Sequence, residues 1–148
     1  ELDRLNEDTC KKLKKYSFDI VIDFSCLTTA MFKHTARNIN CDYYVFISSG
    51  LAELRYKKHA DYDYGRNKRY SEKLVKKFFN KNLIVRPGYV VGEGDYTNRF
   101  EKKDKLPLYS FKGTTQGVSQ FIDVEFLASS LVNMIHYQET GVVKLGYV

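Results

Sequence analysis

Tyr64-Gly65-Arg66-Asn67-Lys68 sets a phenol and an amine four residues apart. On a helix that spacing brings the two side chains to one face, a single turn apart. The chemistry open to such a pair is proton transfer. A tyrosine titrates near about 10, and an adjacent ammonium favours the phenolate and draws that value toward neutrality. So tuned, the phenol can act as general acid or base at a hydroxyl or carbonyl. A serine at the end of a neighbouring strand could hold the substrate oxygen, and Ser49, with Ser48 beside it, follows the apolar run Tyr43-Tyr44-Val45-Phe46-Ile47. Alone, the Tyr-Lys spacing is a weak signal, because a chain with 12 tyrosines and many lysines makes such pairs by chance, usually on the surface.

The surrounding elements give the pair a setting. Leu2 to Tyr16 is polar and lysine-rich, with Leu5, Leu13 and Tyr16 on one side, and predicts a short surface helix. Phe18 to Phe24 is β-branched and apolar nearly throughout, the pattern of a strand buried on both faces of a parallel sheet. A helix is predicted from about Thr29 to Asn38, with Met31, Phe32, Thr35, Ala36 and Ile39 on its apolar stripe, and Tyr43 to Ile47 is a second buried strand. Residues 51–63 are polar and irregular. Tyr64 to Asn80 reads as a helix with Leu74, Val75, Phe78 and Phe79 facing the core. Leu83-Ile84-Val85 is a short buried strand, and Arg86-Pro87-Gly88 takes the chain out of regular structure. A long Gly- and Asp-rich connection follows over residues 92–117. Asp123 reads as the N-cap of a last helix carrying Val124, Leu127, Ala128, Leu131 and Ile135 on one face, and Gly141 to Val148 as a closing strand.

Strands alternating with helices predict an α/β fold, with βαβ crossovers, a parallel sheet and helices on both of its faces. Ligands of such sheets bind beyond the carboxyl ends of the strands. The residues in that place are Ser25-Cys26, Ser48-Ser49-Gly50 and Arg86-Pro87-Gly88-Tyr89.

The length of 148 residues suits one domain, and 43% hydrophobic with 28% charged residues excludes disordered and low-complexity classes. No apolar run approaches the roughly 20 residues that span a bilayer, so no membrane partner is expected. The net charge of +6 permits phosphate-bearing partners. The lysine pairs Lys11-Lys12, Lys14-Lys15, Lys57-Lys58, Lys76-Lys77 and Lys102-Lys103 read instead as solvated faces, and as the vocabulary of an AT-rich genome. Cys10, Cys26 and Cys41 lack the short pairing of a zinc site; Cys26 and Cys41 read as core filler, which fits a reducing cytoplasm. His34, His59 and His136 are scattered, and no metal is expected.

Taken together, the ordered motifs resemble the extended and atypical short-chain dehydrogenase/reductases, the NAD-dependent epimerase/dehydratase family. Phe46-Ile47-Ser48-Ser49 resembles its strand bearing the catalytic Ser or Thr, Tyr64 to Lys68 its YxxxK motif, and Ile84 to Gly94 its "vRPgxvvGpgD" segment. Residues 94–100 and 120–124 are similar to the segments that follow. The resemblance implies a partial Rossmann-like sheet, an NAD or NADP cofactor, and a small-molecule substrate, with a nucleotide sugar as one candidate, that is reduced, epimerised or dehydrated at a hydroxyl or carbonyl. It implies Tyr64 as acid/base, Lys68 as the residue that tunes it and binds the nicotinamide ribose, and Ser49 as the group polarising the substrate oxygen. Ser25 would approach the cofactor, and Arg86, Pro87, Gly88 and Tyr89 would line its nicotinamide end. Arg99 and Phe100 fall where the family begins its substrate pocket; the plain alternatives are an ion pair for Arg99 and core for Phe100.

The resemblance also exposes a gap. A dinucleotide-binding fold needs a glycine-rich turn after its first strand, and no GxGxxG or GxxGxxG occurs in the sequence. Phe18 to Phe24 resembles the fourth strand of the family's sheet. The expectation is therefore one partial cofactor domain over residues 1–148, with a substrate-region insertion at 93–122, inactive alone and either an excerpt of a longer protein or a shortened paralogue. The link from Ser49 to Tyr64 is shorter than the family's usual one. Two other readings compete: a non-catalytic module that uses its basic face for RNA or a protein partner, and a half-domain whose open edge at Phe18 to Phe24 pairs with a second copy.

Overall fold

The computed structural model describes residues 2–94, 100–103, 108–111 and 121–146. In chain order the elements are α1 (Glu7–Cys10), a 3-10 turn (Lys11–Lys15), β1 (Ser17–Asp23), α2 (Thr29–Ala36), β2 (Asn40–Ile47), a second 3-10 turn (Gly50–Glu53) and α3 (Tyr62–Phe78). Then follow β3 (Asn82–Pro87), β4 (Tyr89–Val91), β5 (Phe100–Lys103), β6 (Leu108–Phe111), β7 (Phe121–Asp123), α4 (Val124–His136) and β8 (Gly141–Leu145). The main sheet runs β1-β2-β3-β8 and is parallel throughout, with Val21 opposite Tyr44, Phe46 opposite Ile84 and Val85 opposite Val143.

Alternation along the strands sorts the core into two layers. Tyr43, Val45, Ile47, Leu83 and Val85 face α4, which contributes Leu127, Leu131 and Met134. Tyr44, Phe46 and Ile84 face the other way, onto Phe32 and Ala36 of α2 and Val75 and Phe79 of α3. Because β2 and β3 are covered on both faces, their sequences are continuous apolar runs. Each fully buried large side chain here, such as Phe32 or Ile84, contributes roughly 1.5–3 kcal/mol by leaving water. Tyr44 stacks on Phe79 with ring centroids 4.0 Å apart.

Several expectations are corrected. β1 is not buried on both faces: Val21 packs into the α2/α3 layer, whereas Ile20, Ile22 and Phe24 are exposed, because β1 is a sheet edge that α4 does not reach. The first helix is only α1 with a 3-10 continuation; its N-cap, Asn6, accepts from the Asp8 amide. Residues 51–63 are not wholly irregular, since the 3-10 turn extends to Glu53 and α3 starts at Tyr62. Phe78 is exposed; Val75 and Phe79, four residues apart, hold the core side of α3. On α4 Met134 is buried while Val124 and Ala128 are exposed. The connection after Gly92 contains an antiparallel β5-β6 pair, and β4 pairs in parallel with β7. The pairs Lys11-Lys12, Lys14-Lys15, Lys57-Lys58 and Lys76-Lys77 are exposed, and Cys10 and Cys26 are buried free thiols. No described helix is long and apolar enough to cross a membrane.

Candidate active site

The parallel sheet brings the carboxyl ends of β1, β2 and β3 to one rim, and α3 starts beside it. Tyr64 occupies the first turn of α3 and is partly exposed. Lys68, one turn on, points inward and is only 3% exposed. Its Nζ donates to the Ile47 carbonyl at 2.8 Å and lies 5.1 Å from the Phe46 ring centroid and 5.8 Å from that of Tyr64. Burial holds the Lys68 pKa below the ordinary lysine value; Cys26, Asp23 and Glu72 pull it back toward that value, and Arg4 adds to the lowering.

Two contacts dock the first half of α3. Gly65 lies so close to the preceding turn that a Cβ built on it would sit 2.1 Å from the Leu51 carbonyl oxygen, so the helix packs directly on backbone. Arg69 Nη1 then donates to the Ala52 and Leu54 carbonyls at 3.1 and 2.9 Å. The short link between Ser49 and Tyr64 is thereby fixed as a clamp. Ser49 begins it: its hydroxyl accepts from the Leu51 amide at 3.2 Å and caps the 3-10 turn.

The other sequence-predicted residues are distributed around this centre. Ser25 is exposed just past β1, and its hydroxyl accepts from Arg4 Nη1 at 2.9 Å. The Arg86 guanidinium is occupied by two carboxylates, Glu72 through Nε and Nη2 at 2.8 and 2.5 Å, and Glu53 through Nη1 at 2.7 Å. Pro87 is buried at the end of β3, and the Gly88 amide donates to the Leu145 carbonyl at 2.8 Å. Tyr89 starts β4 beside Phe121, with ring centroids 6.0 Å apart. Arg99 lies outside the described residues, of Phe100 only the place at the start of β5 is described, and most of the span 93–122 lies outside them too.

Sequence reasoning missed the charged groups that frame the site. Asp23 is buried at the end of β1, with Arg4 bidentate on it at 2.6 and 2.7 Å and the Tyr44 hydroxyl donating at 2.7 Å. Glu72, also buried, accepts from Ser48 Oγ at 2.5 Å as well as from Arg86. One signal for Glu72 was available, its place four residues after Lys68 on the same helical face. A groove of about 300 Å³ lined by Ile39, Cys41, Asp42, Phe78 and Lys81 lies at the opposite, amino-terminal end of β2. It holds none of these residues, and burial together with Asp42 pushes its Cys41 thiol up to about 11. Among the described residues no cluster of three His, Cys, Asp or Glu side chains could hold a metal ion.

No family model and no curated protein matches the sequence. Solved structures do. RMD from Pseudomonas aeruginosa, complexed with NADPH, is 18% identical with a TM-score of 0.65 over 99% of this chain and 66% of its own. A dTDP-4-dehydrorhamnose reductase ortholog from Clostridium acetobutylicum is 15% identical (TM-score 0.62; 99% and 62% covered). UDP-N-acetylglucosamine 4-epimerase from Bacillus cereus is 14% identical (TM-score 0.58; 99% and 63% covered). The chain thus spans less than two thirds of each of these structures. Its parallel four-stranded sheet flanked by helices is Rossmann-like, and over nearly its whole length the chain shares the fold of these reductase and epimerase structures.

Proposed function

We propose that this chain carries the acid/base and nicotinamide-end portion of an NAD- or NADP-dependent reductase or epimerase acting on a hydroxyl or carbonyl of a small molecule, with a nucleotide sugar as the substrate class. The observation that carries this reading is Lys68. Its ammonium is almost wholly removed from water, yet among the described residues it makes one hydrogen bond, to Ile47, and otherwise faces two aromatic rings. An ammonium has three donors, and leaving buried donors unmatched is costly. A ribose diol at the rim would supply acceptors for them, so the residues present fit the nicotinamide-ribose end of a dinucleotide.

The bound dinucleotide supplies the hydride. The protein's part is to place and protonate. Lys68 holds the ribose and, by its charge, favours the phenolate of Tyr64, which exchanges a proton with the substrate oxygen. Ser49, whose hydroxyl oxygen accepts from the Leu51 amide, keeps its own proton to donate to that same oxygen. Ser25 sits past β1 on the cofactor side, and Pro87, Gly88 and Tyr89 wall the nicotinamide end, with Arg86 behind them. Arg99 and Phe100, in the 93–122 insertion, are assigned to the substrate pocket.

The test is binding of NADPH and NADH to the full-length protein, followed by turnover on dTDP- and UDP-linked sugars. Tyr64→Phe should lower turnover by about 10²-fold or more, the scale of a lost general acid, with dinucleotide affinity unchanged. Absence of dinucleotide binding, or full turnover in that variant, would overturn the reading.

A further inference from the structure

Glu72 lies four residues after Lys68 and eight after Tyr64, so the three share one face of α3. The carboxylate is 5% exposed and surrounded by donors. Arg86 approaches side-on through Nε and Nη2 at 2.8 and 2.5 Å, and Ser48 Oγ donates to the same Oε1 at 2.5 Å. Arg86 continues to Glu53, and Lys144 of β8 reaches Glu53 at 2.7 Å. One carboxylate thus gathers the ends of β2 and β3, the turn after Ser49, and α3. Ser48 has a particular place in this set. The residue before it, Ile47, supplies the carbonyl that holds Lys68 Nζ, and the residue after it is Ser49.

We propose that Glu72 is a positioning residue: by holding Ser48 against α3 it fixes the Ile47 carbonyl and the Ser49 hydroxyl relative to Lys68 and Tyr64. The inference rests on the proposed roles of Tyr64 and Lys68. A buried ion pair adds little net stability over apolar residues of the same volume, whereas its fixed geometry can specify one arrangement. Charge-assisted bonds of this length, two of them from a forked guanidinium, are directional as well as strong.

The test uses Glu72→Gln and Ser48→Ala in the full chain; Ser48→Ala keeps the Glu72 and Arg86 pair and guards against misfolding of the other variant. Hydrogen exchange should accelerate by about tenfold or more in residues 47–53 and 62–68 of both variants while β1 and α4 keep their protection, the mark of a local opening. Uniform acceleration across every element, or none, would overturn the proposal. In turnover, kcat should fall by about tenfold, a larger change than any rise in KM for the dinucleotide, since Lys68 keeps its own place on α3 while the Ile47 carbonyl and the Ser49 hydroxyl shift. A loss confined to KM would also overturn it. If the unmodified chain binds no dinucleotide, the reading of Tyr64 and Lys68 fails, and the exchange pattern still decides what Glu72 does.

Discussion

Asp23 and Lys68 are both buried charges at the same rim of the same sheet, 6% and 3% exposed, and they are solvated by protein in opposite ways. Asp23 has every acceptor position filled: Oδ1 takes Arg4 Nη1 and the Ser25 amide, and Oδ2 takes Arg4 Nη2 and the Tyr44 hydroxyl. Burial alone would raise its pKa, but the hydrogen bonds and charge of Arg4, with Tyr44, outweigh that and leave it below the ordinary carboxylate value. Among the described residues Lys68 has one hydrogen bond and two ring faces, and its pKa stays lowered by burial. A buried charge with all its partners in the protein is scaffold. One with donors unused among the described residues is where the proposed dinucleotide would bind.

The largest effect should come from breaking the saturated side. Arg4→Ala leaves Asp23 buried without its cation, and removal of one partner from such a pair costs about 3–5 kcal/mol. Urea unfolding would read this directly. Replacing the whole node, Arg4→Met with Asp23→Leu and Tyr44→Phe, should recover most of the loss, because both charges and the phenol go together, and the Ser25 amide that also loses its acceptor belongs to an exposed residue. A single variant that loses less than about 1 kcal/mol, the scale of an exposed pair, would show that Asp23 is not the scaffold charge described.

Next in size is Gly65→Ala, which acts on the ligand-poised side. Helix propensity favours alanine over glycine by about 0.8–1 kcal/mol, so a helix free of neighbours would gain stability. The close Leu51 carbonyl reverses the sign, and forcing atoms into packed space costs about 1–3 kcal/mol. Unlike Arg4→Ala, this change should also weaken dinucleotide binding, since it lifts the turn that carries Tyr64 and Lys68. A stabilised variant would remove the clamp from the account.

These two sites also separate what was legible in the sequence from what was not. The runs Tyr43 to Ile47 and Leu83 to Val85 announced doubly covered strands, and the Tyr64 to Lys68 spacing announced a shared helical face, because both are local periodicities. β1 carries the same apolar signature as β2 yet exposes Ile20 and Ile22, as the chain does Phe24 just beyond it. A strand's composition records that a face is apolar and does not record what lies on it. Arg4 and Asp23 are 19 residues apart, with no periodicity linking them. Gly65 was visible as a letter between Tyr64 and Lys68, but its requirement comes from Leu51, across a turn. The polar inner face of α3, Lys68, Ser71 and Glu72, was hidden because polar residues in a helix ordinarily read as its solvent side.

Acidification offers a smaller and reversible way to test the same contrast. Asp23 has a folded pKa below its unfolded value, so below that unfolded value the unfolded chain binds more protons than the folded one. Its contribution is therefore present above about pH 4, the ordinary aspartate value, and is lost as pH falls through the folded pKa. A stability profile from neutral pH downward should fall more steeply in the wild-type chain than in the triple apolar replacement. Parallel profiles would mean that Asp23 is not the carboxylate responsible.

Lys68→Met should move stability least, and it divides the two sides of the comparison most cleanly. Methionine keeps the unbranched chain and the contacts with Phe46 and Tyr64, and loses the bond from the ammonium to the Ile47 carbonyl, worth about 1.5–3 kcal/mol for a charged donor. Against that loss stands the relief of a desolvated ammonium. Because the folded pKa is lowered, the unfolded chain holds its proton more tightly, and wild-type stability rises with pH between the folded value and the unfolded one near about 10.4. The two terms oppose each other, so a change within about 1 kcal/mol at neutral pH is expected, with that alkaline rise absent from the variant and dinucleotide binding abolished. A loss as large as that of Arg4→Ala would make Lys68 a structural charge like Asp23, and the distinction between a filled and an unfilled buried charge would no longer locate the ligand.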